Sequence, residues 1–400
     1  MVSILYCDCK PESGASSLTS PERSNSVPVM NLKYASLLTL FLLILLRGMV
    51  SPAYAFDIKG VYEAEVPVFK QGKKERKQAM RSGLLEVLIK VSGSSEIPLT
   101  PGIPDVLDKA ASYVQQYRYR SWPADRPVPQ VAEGEKTPKR VLWVRYDKQA
   151  VNKILQNQGF PIWGRSRPSV LIWLAVEDGG ERYLLGNDNN EELKSLIQLE
   201  AKKRGLPVLF PLLDLQDQAA IRVFDVWGDF QEEILQASGR YQTKAVLSGR
   251  LFRDGYEGWR AKWTLYEGGN RADWESAGIS QNYVFADAID GVANVLSAKY
   301  AQIVDESTRD AFFISVRDVN SLADHARITR YLASLASVEH ASAIQFDAAD
   351  AVYRLDINGA EQGVVRTIEL GNVLVAVQQD GLSIDPQTPN RADRVYRLLR

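Results

Sequence analysis

The run Val170-Leu-Ile-Trp-Leu-Ala-Val176 constrains the fold more than any other stretch of the chain. It has the length of a strand and no polar side to offer water, so it must be covered on both faces. The sequence that follows predicts the cover. A helix begins with Glu191 and Glu192 in its first turn and ends with Lys202, Lys203 and Arg204 before Gly205, a charge order and terminal glycine that fit the helix dipole and its cap. A short strand over 207–212, a helix around 230–239 and an apolar strand over 245–252 come next. Antiparallel strands over 259–266 and 274–283 and a helix over 286–303 then complete a β-α-β-α-β-β-β-α order, which predicts a mixed sheet flanked by helices.

The chain has 400 residues, 45% hydrophobic and 24% charged, which excludes disordered, collagen-like and many-span membrane classes. That length allows two or three domains. With 48 Lys and Arg against 49 Asp and Glu, nothing in the charge balance argues for a nucleic-acid partner. The fold class read from these patterns is α+β to α/β, with two or three small mixed-sheet modules flanked by helices.

The first module, 56–165, starts with an alternating strand over 59–69. A helix follows with Met80, Leu84, Val87, Leu88 and Val91 inward and Lys73, Lys74, Arg76 and Lys77 near its start. A second helix is expected over 105–115, then strands over 116–122 and 140–146 separated by a linker carrying Pro123, Pro127, Pro129 and Pro138. Asp147 can cap a helix whose apolar side is Val151, Ile154 and Leu155, and Gly159 stops it. The middle module is 166–305. After a charged linker over 305–310, the third module, 306–378, reads β-α-β-β-α-β, the ferredoxin-like plan. Residues 379–400, with Pro386 and Pro389, read as a tail.

Residues 1–55 carry an export pattern. Lys33 precedes thirteen uncharged residues, 34–46, too few to cross a bilayer, and Ala53-Tyr54-Ala55 offers the small residues of a cleavage site. The expectation is a periplasmic protein beginning at Phe56, the alternative being an uncleaved anchor. Met30 is the natural start of such a signal, so the polar stretch before it, with Cys7 and Cys9, reads as a start placed too early. The remaining chain has no cysteine and must be held by its cores.

Nucleotide-binding, zinc-protease and serine-hydrolase motifs are lacking. His325 and His340 read as surface or helix-end residues rather than ligands, and no cofactor is expected. In Phe224-Asp-Val-Trp-Gly-Asp-Phe230, Asp225 and Asp229 beside Trp227 would suit a sugar-cleaving cleft, but the plainer reading has Asp229 capping the next helix. In Tyr117-Arg-Tyr-Arg-Ser-Trp122 and Val141-Leu-Trp-Val-Arg-Tyr146, a period of two sets Arg118, Arg120 and Trp122 on one strand face, and Trp143 and Arg145 on one face of the other. If the strands pair, an Arg and Trp surface results, with Arg165 and Arg167 just beyond. Such a surface either binds an envelope protein or anionic envelope polymer or packs against the middle module, the more ordinary outcome.

The blocks Val61-Tyr-Glu-Ala-Glu-Val-Pro-Val68, Leu88-Ile-Lys-Val-Ser-Gly93, Tyr113-Val-Gln-Gln-Tyr-Arg-Tyr119, Leu142-Trp-Val-Arg-Tyr146, Pro161-Ile-Trp-Gly-Arg-Ser-Arg-Pro168, Trp173-Leu-Ala-Val-Glu-Asp178 and Pro211-Leu-Leu-Asp-Leu215 resemble an exported proteobacterial family, the domain of unknown function two thousand and sixty-six. The likeness spans about 61–300 and implies an exported protein without an established activity. The stretch 239–251, ending in Ser-Gly-Arg-Leu, is similar to the amino-terminal domain of TolB and to lipoprotein activators of cell-wall synthases, which implies an α/β module used for protein contact. The function expected is a non-enzymatic binding or assembly protein of the cell envelope. The alternative is a carboxylate-dependent hydrolase acting on envelope glycan.

Overall fold

The computed structural model describes residues 56–122, 137–255, 258–304, 309–347, 349–371, 373–377 and 392–399. The export segment, Cys7, Cys9 and Pro123, Pro127 and Pro129 lie outside them. The chain begins with strand β1 (Phe56–Asp57) and continues through β2 (Glu63–Val68), helix α1 (Lys73–Ser92), α2 (Ile103–Asp108), β3 (Val114–Ser121), β4 (Arg140–Tyr146) and α3 (Lys148–Asn157). The strands form an antiparallel sheet in the order β2-β4-β3. Its inner face, with Ala64, Leu142, Val144 and Tyr146, packs on Leu84, Leu88 and Val91 of α1, and the Tyr146 hydroxyl donates to the Met80 carbonyl at 2.6 Å. Asp147 caps α3 by accepting from the Ala150 N–H. The helix expected over 105–115 is shorter: it stops at Asp108, a 3₁₀ turn spans Ala110–Tyr113, and the chain enters β3 at Val114. There Val114 pairs with Tyr146, so cross-strand pairing overrides local helical propensity.

Strand β5 (Ser166–Arg167) pairs with β1 in a separate two-stranded sheet and leads into the middle sheet. Then follow β6 (Val170–Asp178), β7 (Glu181–Leu185), α4 (Glu191–Arg204), β8 (Val208–Leu209), α5 (Leu215–Ala220), α6 (Val223–Trp227), α7 (Gln231–Ser238), β9 (Ala245–Arg253), β10 (Trp259–Glu267), β11 (Asn270–Gly278) and α8 (Gln281–Tyr300). The order is β11-β10-β9-β6-β7, with β8 also on β6. The apolar run of β6 is covered on both faces. Val170, Ile172, Leu174 and Val176 join the core that includes Leu193 and Ile197 of α4 and Val284 and Ile289 of α8. Leu171, Trp173 and Ala175 join the core with Ile221, Val226 of α6 and Ile234 of α7. Each such large aliphatic side chain contributes about 1.5–3 kcal/mol by leaving water. The strand expected over 274–283 and helix over 286–303 both start earlier, because Gly268 and Gly269, at φ 55 and 82, close a tight turn that pairs Glu267 with Asn270.

The last sheet is built from β12 (Arg309–Arg317), β13 (Val338–Asp347), β14 (Asp350–Asn358), β15 (Leu374–Ala376) and β16 (Arg394–Leu398). Helices α9 (Leu322–Ser334) and α10 (Glu361–Leu370) bury Ile328, Leu332, Val364 and Ile368 in its core. The expected β-α-β-β-α-β order is present, but the expected tail supplies a fifth strand. β16 lies between β12, to which it is parallel, and β15. Tyr396 and Leu398, 1% and 3% exposed, fill the gap between them, a long-range pairing that local composition does not announce.

The described residues from Phe56 onward form one compact unit, and β1 pairs with β5 across the boundary expected at 165/166. Arg167 shows why. It is fully buried and meets no described carboxylate; its guanidinium instead donates to five backbone carbonyls. Nε reaches Gly164 O at 3.0 Å, Nη1 reaches Arg204 O at 2.8 Å and Gly205 O at 3.1 Å, and Nη2 reaches Lys90 O at 2.7 Å and Trp163 O at 3.1 Å. The group also stacks on the Trp163 ring at 4.1 Å. Burial, and then the neighbouring Arg204 guanidinium, lower its pKa to about 9, so it remains charged at neutral pH. Gly93 takes φ 75, and a Cβ there would lie 2.2 Å from the Ser297 Cβ, so only glycine lets α1 end against α8. Arg167→Met should destabilise the protein by on the order of 3 kcal/mol or more, because it strands several buried carbonyls, whereas exposed Arg165→Met should change stability by less than about 0.5 kcal/mol. Chemical denaturation of the two variants checks this.

Candidate functional site

The outer face of the first sheet, away from α1, is where the Arg and Trp pattern comes together. Register sets Glu65, Trp143 and Arg118 in one row across the three strands, and Glu63, Arg145 and Gln116 in the next. Trp143 is 3% exposed and forms a floor. Arg118, Arg120 and Arg145 lie over its ring at 4.4, 5.0 and 5.1 Å. The ring is therefore covered by guanidinium groups and is not itself a stacking platform for a ligand. It holds the cations in place, each such contact contributing about 0.5–2 kcal/mol according to its exposure.

Two carboxylates from β2 complete the face. Glu63 accepts from Arg145 Nε at 2.9 Å and Nη2 at 2.7 Å on one oxygen, and from Trp143 Nε1 at 3.0 Å on the other. Glu65 accepts from Arg120 Nη1 at 2.9 Å and, across from the middle sheet, from Lys202 Nζ at 2.8 Å. Arg120 and Arg145 keep 37% and 47% of their side chains exposed. Arg118 is exposed, and no described carboxylate lies within ion-pair distance of it.

The face looks onto the last turns of α4, and between them lies a cleft of about 560 Å³, within the range of ordinary ligand sites. Its charged lining consists of Lys59, Lys90, Arg118, Arg120, Arg145, Lys202 and Lys203 against Glu63, Glu65 and Glu86, so cations outnumber carboxylates. Interdomain packing and an open site thus coexist: Glu65 ties the face to α4 at one edge and the rest remains a cavity. Arg118, Arg120, Trp143 and Arg145 are brought together as the period of two predicted. Arg165 is exposed but is not part of the cleft lining. Arg167 is withdrawn as a contact residue, since every one of its donors is spent inside the protein. Glu63, Glu65 and Lys202 were missed. The first two carry a signal, alternate acidic positions on β2, while Lys202 and Lys203 read only as complements of the helix dipole.

A second cleft, of about 630 Å³, opens on the other side of the middle sheet beside α6. Asp229 lines it but does not cap α7, whose N-cap is Phe230 without a side-chain bond. Asp229 instead takes φ 57 and accepts from Thr264 Oγ1 at 2.8 Å, Tyr266 Oη at 3.0 Å and Arg271 Nη2 at 2.8 Å. Asp225 is turned elsewhere, accepting from the Arg222 N–H at 2.8 Å, and is not in the cleft lining. The two carboxylates expected to face one another across a glycan do not do so. The other acids of this cleft, Asp273 and Glu275, are held below the usual carboxylate range by their bonds from Arg271 and Lys262 respectively, the opposite of what a general acid needs. His325 lies within 3.0 Å of the Tyr353 hydroxyl through Nδ1. Among the described residues no group of His, Cys, Asp and Glu could hold a metal ion, and no helix is long and apolar enough to cross a membrane.

One family model matches, a Domain of unknown function (DUF8605), over residues 55–164. This overturns the expected kinship with the domain of unknown function two thousand and sixty-six. The matched segment contains β2, β3 and β4, hence Arg118, Arg120, Trp143 and Arg145, and ends short of Arg167 and Lys202. No curated protein matches the chain.

The lowered Asp273 pKa gives a pH prediction. Its contribution to stability is in place above the unfolded carboxylate value of about 4 and is lost as pH falls through the lower folded value. Asp273→Asn should therefore flatten the fall of melting temperature with pH below about 4, measured by scanning calorimetry on both proteins.

Proposed function

We propose that the protein is a non-enzymatic binding or assembly protein of the bacterial cell envelope, and that it holds an anionic group of its partner in the Arg and Trp cleft. The observation that carries this reading is the set of three guanidinium groups stacked on one buried tryptophan at the mouth of a cleft rich in cations. Stacking fixes their direction before any partner arrives, which lowers the ordering cost of binding. Guanidinium groups in a fixed fork suit carboxylate or phosphate recognition better than freely rotating lysines. The envelope location rests on the apolar run and Ala53-Tyr54-Ala55 in the sequence. Hydrolysis is not favoured, because Asp225 and Asp229 are each committed to different internal donors.

Arg118 separates binding from stability. Its side chain is exposed and its described partner is the Trp143 ring, so Arg118→Ala should change stability by at most about 1 kcal/mol. It should nevertheless weaken capture of a fluorescent poly-glutamate by about fivefold or more, and the wild-type affinity should fall as salt is raised. Equal binding by both proteins, or no binding at low salt, would overturn the cleft as an anion site. For the location, amino-terminal sequencing of the protein recovered from the periplasmic fraction should read Phe56-Asp57-Ile58. Retention of residues 37–46 would remove the case for cleavage.

A further inference from the structure

The cations of the cleft are not idle in the free protein. Glu63 and Glu65 occupy three of them, Arg145, Arg120 and Lys202, and the manner in which they do so describes a ligand. Both carboxylates come from alternate positions of one extended strand, so they project to the same side about 7 Å apart. Glu63 is gripped as a planar carboxylate, with both Arg145 nitrogens on one oxygen and the Trp143 N–H on the other. Glu65 is shared between Arg120 of the first sheet and Lys202 of the middle sheet. A single phosphate or sulfate can fill one of these two positions but not both, whereas a second extended chain with acidic residues at alternate positions reproduces their spacing.

Resting on the reading of this cleft as an anion site, we infer that its partner is an extended acidic peptide segment with carboxylates at alternate positions, and that Glu63 and Glu65 are internal stand-ins which that segment competes against. Arg118 is the first point of attachment, since no described carboxylate holds it. From there the incoming segment exchanges with Glu65 for Arg120 and Lys202, and with Glu63 for Arg145. The exchange replaces one set of ion pairs by another of similar strength, so affinity stays moderate and the contact is reversible. The internal carboxylates also reject isolated anions, which cannot repay the loss of both pairs at once.

The test uses the purified full chain and two synthetic peptides of identical composition, one alternating Glu and Thr and one with four Glu followed by four Thr, with dextran sulfate as a glycan-like anion. The alternating peptide should bind at least about threefold tighter than the block peptide and tighter than dextran sulfate. Glu65→Gln should tighten the alternating peptide by about three- to tenfold by freeing Arg120 and Lys202. Glu275→Gln, which changes the net charge equally but belongs to the second cleft, should leave affinity unchanged. If Arg118→Ala binds every probe as well as wild type does, the cleft reading itself fails. If binding depends on Arg118 but the two peptides bind alike, dextran sulfate binds tightest, or Glu65→Gln fails to tighten, the cleft reading survives and the acidic-peptide inference is overturned. Tightening by Glu275→Gln to the same degree would reduce the effect of Glu65 to net charge and overturn the inference as well.

Discussion

The Arg167 guanidinium fixes the relation between the first two sheets, and the candidate site exists because of it. Helix ends expose carbonyls that their own helix cannot satisfy, and these carry the negative end of the helix dipole. Arg167 gathers such carbonyls from α1 and α4 together with two from its own segment. Beside it Arg204 donates to the Gly93 carbonyl at 2.7 Å and to Asn294 Oδ1 at 2.9 Å, bringing in α8, and the Ser297 hydroxyl donates to the same Gly93 carbonyl at 3.0 Å. A buried cation without a full set of acceptors would be strongly destabilising. Here backbone dipoles from several elements supply the set, so the elements can separate only by leaving the charge stranded.

That junction also places the last turns of α4 opposite the outer face of the β2-β4-β3 sheet. The distance is short enough for Lys202 to reach Glu65 and long enough to leave a cleft of about 560 Å³. Trp143 then does for the side chains what Arg167 does for the helices. It is apolar enough to be buried under the face, it offers its π-surface to three guanidinium groups, and its single N–H orients Glu63. The cleft is consequently both ordered and charged, two properties that seldom coincide for long side chains at a surface.

The second cleft shows the contrast. Its Asp229, Asp273, Glu275, Arg250, Lys262 and Arg271 balance in charge, and its carboxylates are ion-paired within the network by Arg271 and Lys262, with Thr264 adding a hydrogen bond. A site of that kind holds a sheet face in water. Its balanced charge gives it no net pull on an ion, and Asp273 and Glu275 are held below the usual carboxylate range by Arg271 and Lys262.

Periodicity determined what depends on residues close in sequence. The seven apolar residues of β6 required cover on both faces, the charge order and Gly205 delimited α4, and the alternation in β3 and β4 put Arg118, Arg120, Trp143 and Arg145 on one side, because side-chain direction in a strand is set by the backbone alone. The tertiary structure decided whatever depends on partners far along the chain. Arg167 and Arg118 are the same residue type on similar short patterns. One is buried because carbonyls from residues 90 and 204–205 converge on it, and the other remains exposed because nothing described closes over it. Asp229 turned from an expected cap into a sheet contact once Thr264, Tyr266 and Arg271 came within reach, and residues 394–398 turned from a tail into a strand because β12 and β15 left a slot between them. Such choices belong to the sum of long-range hydrogen bonds and burial, which no local window of sequence contains.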